Sequence, residues 1–288
     1  MSTIVEVNKI KQRVSSSFPV RRMDYKFQQM PKYWCNNEPT FTHYFTGMST
    51  LFPEGEAFFV RSVRALRHKI KDNPQLDRDI SAFIGQEAMH SKEHHAFHLS
   101  AQQHGLDPQS LEHITGIVIK TFERIFPKKW NLLVTVGLEH YTAALVVEMM
   151  KNVNELMNDD TIRNLWLWHS VEESEHKAVA FDLYENLYGQ GLDAYIPRIA
   201  LFTFSLILIT LLSNSYQLIL MARDHQLLNI KSWLKFSSFM TQSIRALMPQ
   251  FLSFYRFDFH PNNHDESELV QKVKAQLGID NIKIALSN

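Results

Sequence analysis

Two Glu-x-x-His tetrads, Glu87-Ala88-Met89-His90 and Glu173-Ser174-Glu175-His176, stand in segments with helical periodicity. On a helix, residues three apart share a face, roughly 4.5 Å apart along the axis, so a carboxylate and an imidazole so placed can reach one metal site. Spacing alone carries little weight, because 17 Glu and 14 His among 288 residues would give roughly one such pair by chance. The weight comes from what surrounds each tetrad.

Around the first tetrad the helical stripe reads Ile80, Phe83, Glu87, His90, His94, Phe97 and Ala101; around the second it reads Ile162, Trp166, His169, Glu173, His176, Ala180, Leu183 and Leu187. Each stripe is apolar except at three consecutive places. Burying carboxylates and imidazoles is costly unless they are bonded to one another or to a cation, so six of them on inward stripes need a common partner. A third stripe, Leu132, Val136, Glu139, Ala143, Val146, Met150, Val153 and Met157, holds one acid. Of two acids near Pro53, Glu56 continues into Phe59, Val63, Leu66 and Ile70, whereas Glu54 leads along a polar stripe and suits the positive end of the helix dipole. Antiparallel hairpins turning at Asn73 and Asn158 would bring Glu56 level with Glu87, and Glu139 level with Glu173. The competing reading is a buried ion-pair network, with Glu56 and Glu139 as helix-end or surface acids and His94 and His169 as hydrogen-bonded supports.

The elements that would position these residues are helices throughout. Gly and Pro are scarce, at 9 and 10, and apolar residues recur at three- and four-residue spacing. The expected fold is all-α, a four-helix bundle with extra C-terminal helices. Residues 1–52 read as an irregular arm, 53–190 as the bundle, and 191–288 as apolar and amphipathic helices packed on the bundle or on a membrane. Expected helices run over 53–72, 77–104, 108–125, from Pro127 to 157, and from 159 to 189, with Gly105 as a left-handed cap. Residues 199–222 carry no charge between Arg198 and Arg223 and are long enough to cross a bilayer, but Ser205, Thr210, Ser213, Asn214, Ser215 and Gln217 make them less apolar than a typical span and favour burial or a dimer interface over the membrane. Residues 231–259 read as an amphipathic segment and the tail from Asp265 as one more helix.

Composition excludes several functions. Thirty basic and 30 acidic residues balance, removing the bias of a nucleic-acid binder. A single cysteine, Cys35, rules out Cys-based metal sites and an intrachain disulfide framework. There is no Gly-rich phosphate loop, Gly-x-Ser-x-Gly elbow or His-Glu-x-x-His zinc helix. Met1 to Arg22 lacks a secretory apolar stretch, so a cytoplasmic location is expected, in possible association with the inner face of a membrane.

The order lone Glu, Glu-x-x-His, lone Glu, Glu-x-x-His resembles the ferritin-like di-iron carboxylate proteins over about residues 53–188. The strings Phe52-Pro53-Glu54-Gly55-Glu56, Gln86-Glu87-Ala88-Met89-His90, Glu139-His140-Tyr141-Thr142-Ala143 and Trp168-His169-Ser170-Val171-Glu172-Glu173-Ser174-Glu175-His176-Lys177, with Phe259-His260-Pro261, resemble the bacterial family of predicted metal-dependent hydrolases. The resemblance implies two metal ions, iron first and manganese or zinc as alternatives, held by Glu56, Glu87, His90, Glu139, Glu173 and His176. His94 and His169 depart from that six-residue pattern, as added ligands or as supports. The implied activity is dioxygen-dependent oxidation of a small apolar substrate; hydrolysis by metal-activated water and non-catalytic iron binding are the alternatives. The expected partners are a small-molecule substrate and, through 199–222, a membrane or a second copy of the chain.

Overall fold

A computed structural model describes residues 17–28 and 30–279. Among these, every extended element of secondary structure is helical: α1 (Pro39–Ser49), α2 (Phe52–Arg67), α3 (Pro74–Ala101), α4 (Pro108–Ile125), α5 (Lys128–Leu156), α6 (Asp160–His176), α7 (Val179–Tyr188), α8 (Leu192–Arg223), α9 (Ile230–Ser253) and α10 (Ser267–Leu277). The all-α reading is therefore correct. Local chemistry sets many of the starts. Pro39, Pro74 and Pro108 occupy first helical positions, where a missing N–H costs nothing. The side chains of Asn73, Asp107, Asp159 and Asn229 accept hydrogen bonds from first-turn amides.

Two antiparallel hairpins frame the centre. In the first, α2 and α3 are tied at one end by Arg67 to Asp77 and near the other by the Ser91 hydroxyl, which donates to Glu56 Oε2. In the second, α5 runs back against α6 and α7. The hairpins meet through α2 on α5 and α3 on α6, and the four inward stripes lie in the shared interior. Ile80, Phe83, Phe97 and Ala101 of α3, and Leu132, Val136, Val153 and Met157 beside α5, are almost completely inaccessible. α4 covers α2 and α3, and α10 covers α6 and α5.

The segment expected to be an irregular arm contains α1. All eleven residues of α1 are buried, so it has no solvent face and no amphipathic period by which to recognise it. α2 ends at Arg67, five residues before the expected stop. α3 begins at Pro74, which starts a helix where it had been read only as ending one. The helix expected to run unbroken to Gly189 is divided at Lys177 and Ala178, where Lys177 reaches the His264 carbonyl and Glu266.

α8 and α9 lie across the outside, both on α1 and α5. Two glycines let α8 approach. A Cβ on Gly47 of α1 would come within 3.1 Å of Tyr216 Cβ, and one on Gly137 of α5 within 3.1 Å of Phe202 Cα. α5 and α8 are both long and apolar enough to cross a membrane, but the most apolar stretch of α5 is 78% buried in the protein and that of α8 only 22%. Ile207, Leu211 and Leu218 of α8 are exposed. Replacing Gly137 by Leu is expected to lower unfolding free energy by about 1–3 kcal/mol through overpacking. Urea denaturation measures this loss, and limited proteolysis should show α8 cut earlier than in the parent chain.

Candidate metal centre

Seven of the eight sequence-named residues converge in the interior. Glu56 comes from α2, Glu87 and His90 from α3, Glu139 from α5, and His169, Glu173 and His176 from α6; none is more than 4% exposed. Three overlapping groups place their nitrogen and carboxylate oxygens within 4.8 Å of one another: Glu56 with His90 and His169, Glu87 with Glu139 and His176, and Glu87 with His90 and Glu173. These are His and Glu groups that could hold metal ions. His94 stands one imidazole further out, its Nε2 2.7 Å from His169 Nδ1.

The outer nitrogens of the three inner imidazoles are occupied. His176 Nδ1 lies 2.8 Å from Gln86 Oε1, and Gln86 spends its own N–H groups on the Pro19 carbonyl and Glu175. Gln86 Oε1 can only accept, so His176 carries a proton on Nδ1 and turns Nε2 inward. That Nε2 lies 3.1 Å from Glu87 Oε1 and 3.5 Å from oxygens of Glu139 and Glu173. His90 Nε2 is 3.1 Å from Glu172 Oε2, leaving Nδ1 to face Glu173 at 3.5 Å. Burial pushes the Glu172 carboxyl up to about 8 against the opposing charge of Arg21.

His169 is set by a longer chain. Glu112, held below the usual carboxylate range by His98 and His95 against partial burial, accepts from His98 Nδ1 at 2.9 Å. His98 Nε2 must then accept from the Ser49 hydroxyl, Ser49 from His94 Nδ1, and His94 Nε2 from His169 Nδ1, each at 2.7 Å. His94 is held well below its ordinary pKa by burial and by His169, which keeps it neutral as this sequence of donors requires. With Glu112 accepting, His169 Nε2 is the last acceptor of the chain, yet it stands at hydrogen-bond distance from Glu173 Oε1, 3.0 Å, and 3.7 Å from Glu56 Oε1, so a proton or a cation has to lie between them.

Imidazole nitrogens and carboxylate oxygens facing one another in this way repel unless protons or a cation stand among them. Among the described residues, half of the sixteen buried side-chain atoms without a hydrogen-bond partner belong here: one oxygen each of Glu56 and Glu173, both of Glu87 and Glu139, His90 Nδ1 and His176 Nε2. The charge balance has the same character. Burial, with the neighbouring Glu87 and Glu173, pushes Glu56 well above the carboxylate range, and Glu139 is raised likewise by burial. Glu87 is pushed up to about 7 by burial, with His176 opposing. Glu173 is held well below by His176 and His169 despite its burial, and it raises His176 in return. Protons thus do here what cations do in a metal site. The donor set fits hard or borderline divalent ions.

Sequence reasoning missed the outer partners. Arg21 is almost fully buried and donates to Glu172 and bidentately to Glu175. Its one available signal was three acids, Glu172, Glu173 and Glu175, in a single helical turn, an arrangement that demands a buried counter-charge. Ser49, His98 and Glu112 carried no signal, since nothing in the sequence brings α1 and α4 to α3. Glu54 lies in the first turn of α2, 3.9 Å from Lys120 and away from the centre. Trp168 meets His90 edge-on and Trp166 meets His94, as aromatic packing. His260 pairs with Asp182 and His264 with Ser253, remote from the centre. Burial holds the Cys35 thiol well above its ordinary pKa, so it is no nucleophile.

Two cavities reach the centre and share Phe52, Thr142 and His169 in their walls. The larger, about 440 Å³, extends outward among α1, α5, α6, α8 and α9. The smaller, about 90 Å³, touches Glu56, His169 and Glu173 and is otherwise closed mainly by Phe, Leu, Ile and Val of α2, α4, α5 and α8.

Residues 19–265 match the model of a family described as predicted metal-dependent hydrolase. No curated protein and no solved structure matches the chain. Replacing Glu87 or Glu173 by Ala should abolish retention of metal through dialysis. Gln86→Leu and His94→Phe, which remove only the outer partners, should weaken metal affinity by about 10–100-fold. Competition against a chromophoric chelator measures both, and metal content unchanged in all four variants would overturn the assignment.

Proposed function

Because the chain belongs to this family of predicted metal-dependent hydrolases, we propose that its buried carboxylate–histidine centre holds two divalent ions and hydrolyses a small, largely apolar substrate. One observation carries the reading: His90, His176 and four carboxylates aim unpartnered atoms at a common centre that His169 Nε2 also faces, while the opposite nitrogen of each imidazole is fixed by Glu172, Gln86 or His94. Glu56, Glu87, His90, Glu139, His169, Glu173 and His176 are the proposed ligands, and His94 orients His169. When bound, a pair of divalent ions polarises a carbonyl or phosphoryl oxygen and lowers the pKa of water.

The chain's own groups supply the rest. Ser91 Oγ donates to Glu56 Oε2 at 2.9 Å, which fixes the carboxyl and leaves Oε1, without a hydrogen-bond partner, as its ligand atom for the centre. Arg21 holds Glu172 and Glu175 in place without reaching the cavities. Phe52 stands edge-on to both His94 and His169 and narrows the approach, which limits bulk water around the reacting atoms.

The exposed apolar face of α8 and the turn into α9 support a lipid surface as partner. Leu227, Leu228, Ile230 and Leu234 are exposed beside Lys231, the mixture that favours an interfacial position. Sedimentation with anionic vesicles should carry the protein down and Leu228→Asp should release it; a stable dimer without vesicle binding would assign the face to a second copy instead.

Purified protein should contain about two divalent ions per chain by elemental analysis and hydrolyse p-nitrophenyl esters, with activity lost on chelation and restored by zinc or manganese. Iron together with an optical change on adding oxygen to the reduced form, and no ester cleavage, would replace hydrolysis by dioxygen-dependent oxidation.

A further inference from the structure

The larger cavity identifies the kind of substrate. It runs from His169 and Thr142 outward between α8 and α9, which pack on α1 and α5 rather than on each other. Its inner walls are Phe45, Phe52, Val146, Met149, Trp166 and Leu247, all buried. Among the described residues of its wall no Lys or Arg occurs, and the one carboxylate is Glu148, engaged by Lys151. Such a wall rejects a charged or highly polar ligand, whose desolvation nothing would offset. Asn152, Thr210, Asn214 and Ser237 at the outer end are exposed, so the cavity opens to the surface there, and Ile207 and Leu211 continue its apolar character along α8. A water molecule takes about 30 Å³ and a methylene a comparable volume, so the cavity has room for an aliphatic chain of roughly a dozen carbons. By the same measure the smaller cavity holds a group of roughly three heavy atoms.

The geometry points to an acyl ester of a medium to long unbranched chain and a short alcohol, the acyl tail in the larger cavity and the alcohol in the smaller one. This rests on the hydrolytic reading. The scissile carbonyl then lies where the cavities meet, at Phe52, Thr142 and His169. Water contributes OH to the acyl carbon as the acyl C–O bond breaks, and its remaining proton goes to the departing alkoxide, so the products are a fatty acid and the free alcohol. The alternative arrangement, with a bulky alcohol and a short acyl group, has the same chain requirement and differs only in which product carries the tail.

Chain binding can be read without catalysis. Trp166 lies in the inner wall and Trp233 in the wall contributed by α9, among five tryptophans in the chain. Titration of the metal-loaded protein with the uncharged 11-bromoundecanol should give saturable fluorescence quenching, reduced by Trp166→Phe. Val146→Phe, which fills the inner wall, should weaken binding at least tenfold; Ser243→Phe, on α9, tests the same point without altering the bundle interior. Absent or unsaturable quenching, or quenching unchanged in both filling variants, overturns the chain-binding inference, even if short esters are hydrolysed. Saturable quenching lost in the filling variants, in a protein that hydrolyses no ester of any length, keeps the chain site and removes the hydrolytic reading instead.

Discussion

Everything in this fold answers to one electrostatic constraint: four carboxylates and three imidazoles sit side by side in the buried interior. Repulsion among them is avoided only by added protons or by a cation, and either choice requires each imidazole to have a defined orientation and a defined tautomer. The protein meets that requirement by specifying the outer nitrogen. Gln86 can only accept from His176, and its own orientation is locked because its N–H groups reach Pro19 and Glu175. For His169 the specification travels through His94, Ser49 and His98 before ending on Glu112, which lies on a different helix and is partly exposed. A hydrogen-bond chain of this kind has only two self-consistent directions, and the terminal carboxylate selects one.

The inward residues were legible because helical periodicity turns burial into pattern. Glu87, His90 and His94 interrupt the apolar run from Ile80 to Ala101, and Glu173 and His176 interrupt the run from Ile162 to Leu183, so their faces could be read before their contacts were known. Glu56 and Glu54 illustrate the resolving power of the method. They are two residues apart, yet one is enclosed and the other remains near solvent beside Lys120. Periodicity fails where burial is complete or where there is no helix. α1 is enclosed on all sides and has no polar face to mark it, and residues 17–28 reach the centre outside any helix. Outer partners such as Ser49 and Glu112 were invisible for a different reason. Their role depends on which helices become neighbours, and that is a tertiary fact with no local signature.

α8 poses the opposite problem. Its composition suited both a membrane and a protein interior, and the structure gives it a mixed position. Gly47 and Gly137 seat one side of it tightly, with Phe202, Tyr216 and Leu220 fully enclosed, while Ile207, Leu211 and Leu218 remain outside. Its Ser, Thr, Asn and Gln residues are absorbed in several ways. Gln217 donates to the Thr40 carbonyl, Ser205 and Thr210 bond back to their own helix, and Asn214 is exposed. These polar groups therefore do not oppose the apolar character of the outer face, and the same helix can wall a cavity on one side and present hydrocarbon on the other.

The extended segment before α1 has a larger part than its irregularity suggests. α6 displays Glu172, Glu173, Glu175 and His176 within little more than one turn, and only Glu173 and His176 point to the centre. The remaining two carboxylates need a cation that the four framing helices do not provide in the interior. Arg21 supplies it to both, and Lys274 of α10 assists at Glu175. The same segment places the Pro19 carbonyl on Gln86 and gives the amides of Asp24 and Tyr25 to Glu93. Phe18 lies 6.3 Å from the His176 ring. Loss of these contacts would free Gln86 and Glu172 together, and with them the orientations of His176 and His90. The helices thus bring the inward residues together, but the chain that crosses them fixes which atoms of those residues face inward.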